Sequence, residues 1–172
     1  LPDQGSHVGM SGVRSGRRRA ILTAAGAAVA VALLGGLASP IGPWYYALRK
    51  PWFQPPDWLF GPAWTVIFAL TAIAGVWAWD ARPPMRRWAV ILALFTANGL
   101  LNILWSLLFF TLHRPDWALG EMPALWLSVL GLIIAIWPAS RRASLLLVPY
   151  LVWVAFAAIL NLAVDQLNAP FG

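Results

Sequence analysis

Residues 44–64 read WYYALRKPWFQPPDWLFGPAW, with four tryptophans, two tyrosines and four prolines between two long apolar runs. A segment that only joins two helices is ordinarily short and polar, built from Gly, Ser, Asn or Asp. Aromatic surface in this quantity needs an apolar partner. What that partner is depends on the solvent around the flanking runs.

Outward from this stretch lie five apolar segments, at residues 21–38, 62–79, 88–112, 118–137 and 145–164. Each has about 18–25 residues, and at about 1.5 Å per residue each crosses a hydrocarbon core of roughly 30 Å with modest tilt. None alternates apolar with polar residues, which excludes a transmembrane barrel pattern. Helices satisfy their own backbone groups, as lipid requires. The predicted fold is therefore all-α, a polytopic membrane protein built as a five-transmembrane-helix bundle in one domain over residues 10–172, with a long loop at residues 39–61.

Composition agrees with that class. The chain is 60% hydrophobic and 10% charged, against about 25% charged residues in a soluble domain. It has no cysteine, so disulfides, thiolate nucleophiles and Cys-based metal sites are excluded. The formal charge of +6 has the sign of a nucleic-acid binder. Its basic residues, however, fall in short clusters between apolar runs, the pattern of a polytopic membrane protein, and no nucleic-acid partner is expected. The opening residues LPDQGSHVG belong to no periodic segment, and GSH shortly before Met10 reads as the remnant of an expression tag over residues 1–9. Arg17–Arg19, an apolar run and Leu37-Ala38-Ser39 also resemble a signal peptide, but the run is longer than a usual signal-peptide core, which favours a retained helix.

Lys and Arg counted over alternate loops give nine on one side (Arg14, Arg17, Arg18, Arg19, Arg82, Arg86, Arg87, Arg141, Arg142) and three on the other (Arg49, Lys50, Arg114). The positive-inside rule then places the N-terminus in the cytoplasm and the aromatic loop outside. A bacterial inner membrane is expected on this count; an outer membrane, where the rule has less authority, is the alternative. Trp77, Trp79, Trp88, Trp117 and Trp137 fall near predicted helix ends, where indoles prefer the headgroup level. Gly61-Pro62 reads as a helix start. Pro149 falls inside the fifth segment, where it is expected to free the Leu145 carbonyl and kink the helix.

In ANGLLNILWSLLFF of the third segment, Asn98, Asn102, Trp105 and Phe109 share one helical face. Two amides at membrane depth belong inside the bundle. They serve there as interhelical glue, as ligand contacts, or as both. In the fifth segment Trp153, Ala157, Leu160, Asn161 and Val164 share a face, and in the second Trp64, Phe68, Thr71 and Gly75 do. With the derived topology these stripes meet in the outer half of the bundle, directly under the aromatic loop. That placement predicts a pocket with a lid. His113, beside Arg114, reads as an interfacial residue, and no metal site or catalytic constellation is expected.

Residues 44–64, ANGLLNILWSLLFF and LLLVPYLVWVAFAAILN, in this order, resemble the tryptophan-rich sensory protein/translocator protein family (TspO/MBR), over roughly residues 44–161. The resemblance implies five transmembrane helices, a common dimeric state, and binding of porphyrins, haem-related tetrapyrroles and synthetic isoquinoline or benzodiazepine-type ligands under the first loop. No cofactor is implied beyond such a tetrapyrrole ligand; the partners implied are the lipid bilayer, the small hydrophobic ligand and a second copy of the chain. By motif position the implied ligand-binding residues are Tyr45, Trp64, Asn98, Asn102, Trp105, Trp153, Ala157 and Leu160. Pro55 and Pro56 match the paired loop prolines. Arg49 and Lys50 on the lid stand where porphyrin carboxylates would arrive, or where lipid headgroups would. Animal members carry a cholesterol-recognition stretch that needs Tyr followed shortly by Lys or Arg. Here no Lys or Arg follows Tyr150, and the resemblance does not carry sterol binding to this chain.

The leading expectation is a receptor or translocator-type protein for tetrapyrroles, with a sensory, regulatory or transport role. The alternatives are a light-dependent porphyrin-degrading enzyme using Trp64 and Trp153, and a ligand-regulated scaffold. For the scaffold, small residues at Ala20, Ala24, Ala28, Ala32, Ala93 and Ala97 would support helix association, although packing within the bundle explains them equally.

Overall fold

The computed structural model describes residues 8–171. In chain order it contains α1 (Val8–Leu37), α2 (Pro43–Ala47), α3 (Asp57–Asp80), α4 (Met85–Ser106), a π-helical segment (Leu107–Thr111), α5 (Pro115–Ile136), α6 (Arg141–Leu145) and α7 (Val148–Asn168). There is no strand among the described residues. Five helical stretches are long and apolar enough to cross a membrane: Gly16–Leu37, Asp57–Asp80, Met85–Thr111, Pro115–Ile136 and Arg141–Asn168. The chain is an all-α, multi-pass integral membrane protein. Most of the tag expected over residues 1–9 lies outside the described residues.

Contacts between neighbours close the bundle into a ring. α1 packs along α3 and α4, α4 along α5, and α5 along α7, while α7 and α3 meet only narrowly. Outward positions carry large apolar side chains such as Leu22, Leu33, Leu100, Leu127, Ile134 and Val152, which face lipid. Inward positions are often small: Ala74, Ala78 and Ala143 are fully buried among Ile91, Leu132, Ile136 and Leu147. Lipid tails are as apolar as leucine, so helices associate through close van der Waals fit, and small residues permit it. Gly99 of α4 shows how close the approach is, because a Cβ there would meet Val31 Cγ2 of α1 at 3.1 Å. Ala20, Ala24 and Ala28 are half-buried along α1, whereas Ala93 and Ala97 are exposed on α4.

Several boundaries differ from the sequence-based expectation. The loop at residues 39–61 holds a short helix, α2, with Pro43 in its first turn. α3 starts at Asp57, five residues before Pro62, with Pro56 as its N-cap residue. Asp57 places a carboxylate in the first turn, where the helix dipole favours it. Pro62 therefore lies inside the helix, where it removes a single hydrogen bond close to the end. The expected kink at Pro149 is a break instead. α6 ends at Leu145 and α7 restarts at Val148 with Pro149 in its first turn, where proline costs least. The Leu147 N–H reaches the Ser144 carbonyl at 3.1 Å across the junction, and the Ser144 hydroxyl donates to the Ile133 carbonyl of α5 at 2.7 Å. At the end of α4 the π-helical segment inserts one extra residue into the turn. The Thr111 hydroxyl there donates to the Ala38 carbonyl at the end of α1, at 2.9 Å.

Candidate functional site

Where α3 and α7 diverge, a cavity of about 330 Å³ opens beneath the connection between α1 and α3. Its walls come from α1 (Val31, Gly35), α3 (Phe60, Trp64, Phe68), α4 with its π-helical end (Asn102, Trp105, Ser106, Phe109, Phe110) and α7 (Trp153, Ala157, Leu160, Asn161, Val164). Its roof is Tyr45, Leu48, Lys50, Gln54 and Asp57. The indoles of Trp64 and Trp153 meet edge to face, centroids 6.3 Å apart at 84°. Trp64 also stacks on Phe68 at 5.3 Å, and Trp105 lies 5.4 Å from Phe109.

The roof is a polar clamp. The buried Tyr45 hydroxyl donates to Asp57 Oδ1 at 2.7 Å and accepts from Gln54 Nε2 at 3.2 Å. Lys50 Nζ reaches Asp57 Oδ2 at 3.3 Å and sits 3.9 Å from the Tyr45 ring centroid. Burial first, and then the hydrogen bond to Asp57, pushes the Tyr45 phenol above its ordinary range. A second tie closes the lid against α7. The Asn168 side chain accepts from the Arg49 N–H at 2.8 Å and donates to the Arg49 carbonyl at 2.9 Å. Trp44 stacks on His113 at 4.2 Å and 18°, joining α2 to the end of the π-helical segment.

Of the residues expected at the site, Tyr45, Trp64, Asn102, Trp105, Trp153, Ala157 and Leu160 line the cavity, as does Lys50. Four do not. Asn98 is buried behind the wall, donating to Ser128 Oγ at 2.8 Å and accepting from the Tyr150 hydroxyl at 3.1 Å. Arg49 is exposed and is held through its backbone. Pro56 serves as the cap of α3, and Pro55 precedes it in the loop. Thr71 and Gly75 also fall below the cavity: Thr71 bonds the Ile67 carbonyl, and Gly75 faces Phe95. Gln54, Asp57 and Phe60 are lining residues that no sequence stripe announced, because they sit in or next to the irregular loop. Phe110 escaped the stripe because the π turn shifts its register.

Three polar atoms on lining residues have no protein partner among the described residues: Trp105 Nε1, Trp153 Nε1 and Asn161 Oδ1. Buried polar atoms are nearly always paired, and these three are packed within the protein around the cavity rather than open to it.

The sequence pattern of the TspO/MBR family matches residues 23–167. The chain is similar to the "Tryptophan-rich protein TspO" of Archaeoglobus fulgidus, 44% identical over 138 residues, covering 77% of this chain and 84% of that protein. It is similar to the "Tryptophan-rich sensory protein" of Cereibacter sphaeroides, 34% identical over 147 residues, covering 86% and 90%. The human "Translocator protein" is 32% identical over 126 residues, covering 73% and 75%.

Proposed function

Because the chain belongs to the TspO/MBR family and is a membrane receptor or translocator-type protein, we propose that it binds porphyrins and related planar tetrapyrroles in the cavity under the α1–α3 connection. The observation that carries this reading is the convergence of Trp64, Trp105 and Trp153 on one cavity. Indole faces give a flat apolar ring system its contact area. The carboxylate tails lie toward the roof, where they compete with Asp57 for the Lys50 ammonium. Ligand pockets commonly measure about 300–1,000 Å³, so this chamber is at the small end, and a whole tetrapyrrole enters with the roof displaced. Isoquinoline and benzodiazepine-type molecules fit the same contacts with less displacement. In this reading the Arg-rich end of the bundle faces the cytoplasm and the roof faces outward.

Protoporphyrin titration tests the proposal. Binding should quench tryptophan fluorescence, and Trp64→Phe with Trp153→Phe should weaken it by about three- to tenfold, since each aromatic contact contributes about 0.5–1.5 kcal/mol. Normal binding by both variants would overturn the pocket assignment. Vesicles reconstituted with the protein distinguish transport from sensing: a carrier accumulates the ligand along its gradient, and a receptor does not.

A further inference from the structure

At the opposite end of the bundle lies a second cleft, of about 590 Å³, lined by Gly16, Arg17, Trp79, Asp80, Arg82, Pro83, Met85 and Trp88. We propose that this cleft is a binding site for one anionic phospholipid, whose phosphate is held by Arg17 and Arg82 and whose acyl chains run along Trp79, Trp88 and Met85.

Charge is the first support. Arg17, Arg18, Arg19, Arg82, Arg86, Arg87, Arg141 and Arg142 are grouped at this end, with Asp80 as the carboxylate among the described residues there. The other described acids, Asp57, Asp116, Glu121 and Asp165, belong to the roof half of the molecule. Asp80 does not cancel the excess. Arg17 meets it through Nε alone, at 3.2 Å, so the terminal guanidinium nitrogens of Arg17 have no acceptor among the described residues. The Arg82 side chain likewise has none.

The shape of the cleft is the second support. Trp79 and Trp88 form an edge-to-face pair with centroids 5.1 Å apart, and Trp79 and Met85 remain 41% and 79% exposed. Two basic side chains lining one cleft with two indoles and a thioether offer a phospholipid a charged surface for its headgroup and an apolar one for the start of its chains. A soluble anion would use the arginines and leave the apolar floor without a partner.

The backbone is the third support. Arg82, two residues past the end of α3, lies in the left-handed region at φ 49°. That position is usually filled by glycine or asparagine, because a Cβ there is crowded. A long cationic side chain at a glycine position is a local cost to folding, and such costs cluster at functional sites.

Native mass spectrometry of the full chain in detergent, titrated with phosphatidylglycerol or with phosphatidylcholine of the same acyl chains, tests the site. Phosphatidylglycerol should be retained and phosphatidylcholine should not. Arg17→Gln with Arg82→Gln should weaken retention on the order of tenfold. Arg141→Gln with Arg142→Gln, the same charge change at the same end but outside the cleft, should change it less than about twofold. Arg82→Gly removes the guanidinium while relieving the backbone, so it should lose lipid without losing thermal stability. Equal weakening by the two double variants would overturn the proposal in favour of a diffuse surface field. Displacement of the lipid by millimolar inorganic phosphate would overturn it in favour of a soluble-anion site. Protoporphyrin quenching should be unchanged in the Arg17→Gln, Arg82→Gln protein, which keeps this test separate from that of the cavity.

Discussion

Tyr150 carries two interhelical bonds on one hydroxyl, accepting from Asn102 Nδ2 at 3.3 Å and donating to Asn98 Oδ1 at 3.1 Å. Asn98 passes the chain on to Ser128 Oγ, which donates to the Leu125 carbonyl at 2.6 Å. Three helices are joined by a directional series in which each member's donor has an acceptor. Such bonds average about 0.6 kcal/mol in membranes, so Tyr150→Phe should cost about 1–2 kcal/mol, read as an earlier transition in a denaturing-detergent titration. The two amides then separate by role. Asn98→Ala should lower stability and leave protoporphyrin affinity intact, because Asn98 does not line the cavity. Asn102→Ala should lower both, and an equal effect of the two on affinity would refute the division. At the roof, Tyr45 gives a pH signature. Its folded pKa is raised above the unfolded value of about 10, so the folded state holds its proton where the unfolded state loses it. The stability from this phenol is fully present below about pH 10 and declines as the pH climbs from there toward the folded pKa. Thermal midpoints measured from pH 8 to 11 should fall in the parent protein and fall less in Tyr45→Phe.

The lid between α1 and α3 is fastened at both of its ends, and the fastening to α7 is the easier to undo. Asn168 presents an amide to both backbone groups of Arg49, the pairing a neighbouring strand would offer. Two exposed bonds of about 0.5–1.5 kcal/mol each hold the roof down. Asn168→Ala should therefore raise the open population on the order of tenfold, speeding both entry and exit of protoporphyrin in stopped-flow quenching, with a smaller change in Kd. An unchanged exit rate would mean that the ligand leaves by another route, between α3 and α7. The five spans and the aromatic lid were legible in the sequence because lipid demands apolar runs of fixed length. The finer breaks were not. Pro62 lies five residues into α3, near enough to the end to be tolerated, so proline did not mark the start. At Pro149 the stop and restart depend on Ser144 bonding Ile133 of another helix, a partner no local pattern names. The face of Asn98, Asn102, Trp105 and Phe109 was readable at 3.6 residues per turn, and Phe110 joined it only because a π turn broke that period. The clamp of Tyr45, Gln54, Asp57 and Lys50 is formed by chain reversal in the loop, where periodicity carries no information.

Over the whole molecule, the two ends differ in chemistry as much as in charge. One end gathers arginines around two interfacial tryptophans, while the other balances its cations with nearby carboxylates, as in Lys50 with Asp57 and Arg114 with Asp116. Orientation follows the count of Lys and Arg in short loops, to which carboxylates contribute little, and that count places the arginine end on the cytoplasmic side as an expectation. On that count the roof is expected on the opposite face, outside the cytoplasm. Because the chain lacks cysteine, this orientation can be read by single substitutions. Trp52, 96% exposed in the lid, and Ala81, exposed at the end of α3, lie at opposite ends. In intact cells a membrane-impermeant maleimide should label the Trp52→Cys protein directly and the Ala81→Cys protein only after permeabilisation. The reverse pattern would place the roof in the cytoplasm and require the arginine end to be held outside by something stronger than loop charge. Labelling of both in intact cells would mean two insertion orientations, which an imbalance of this size should prevent.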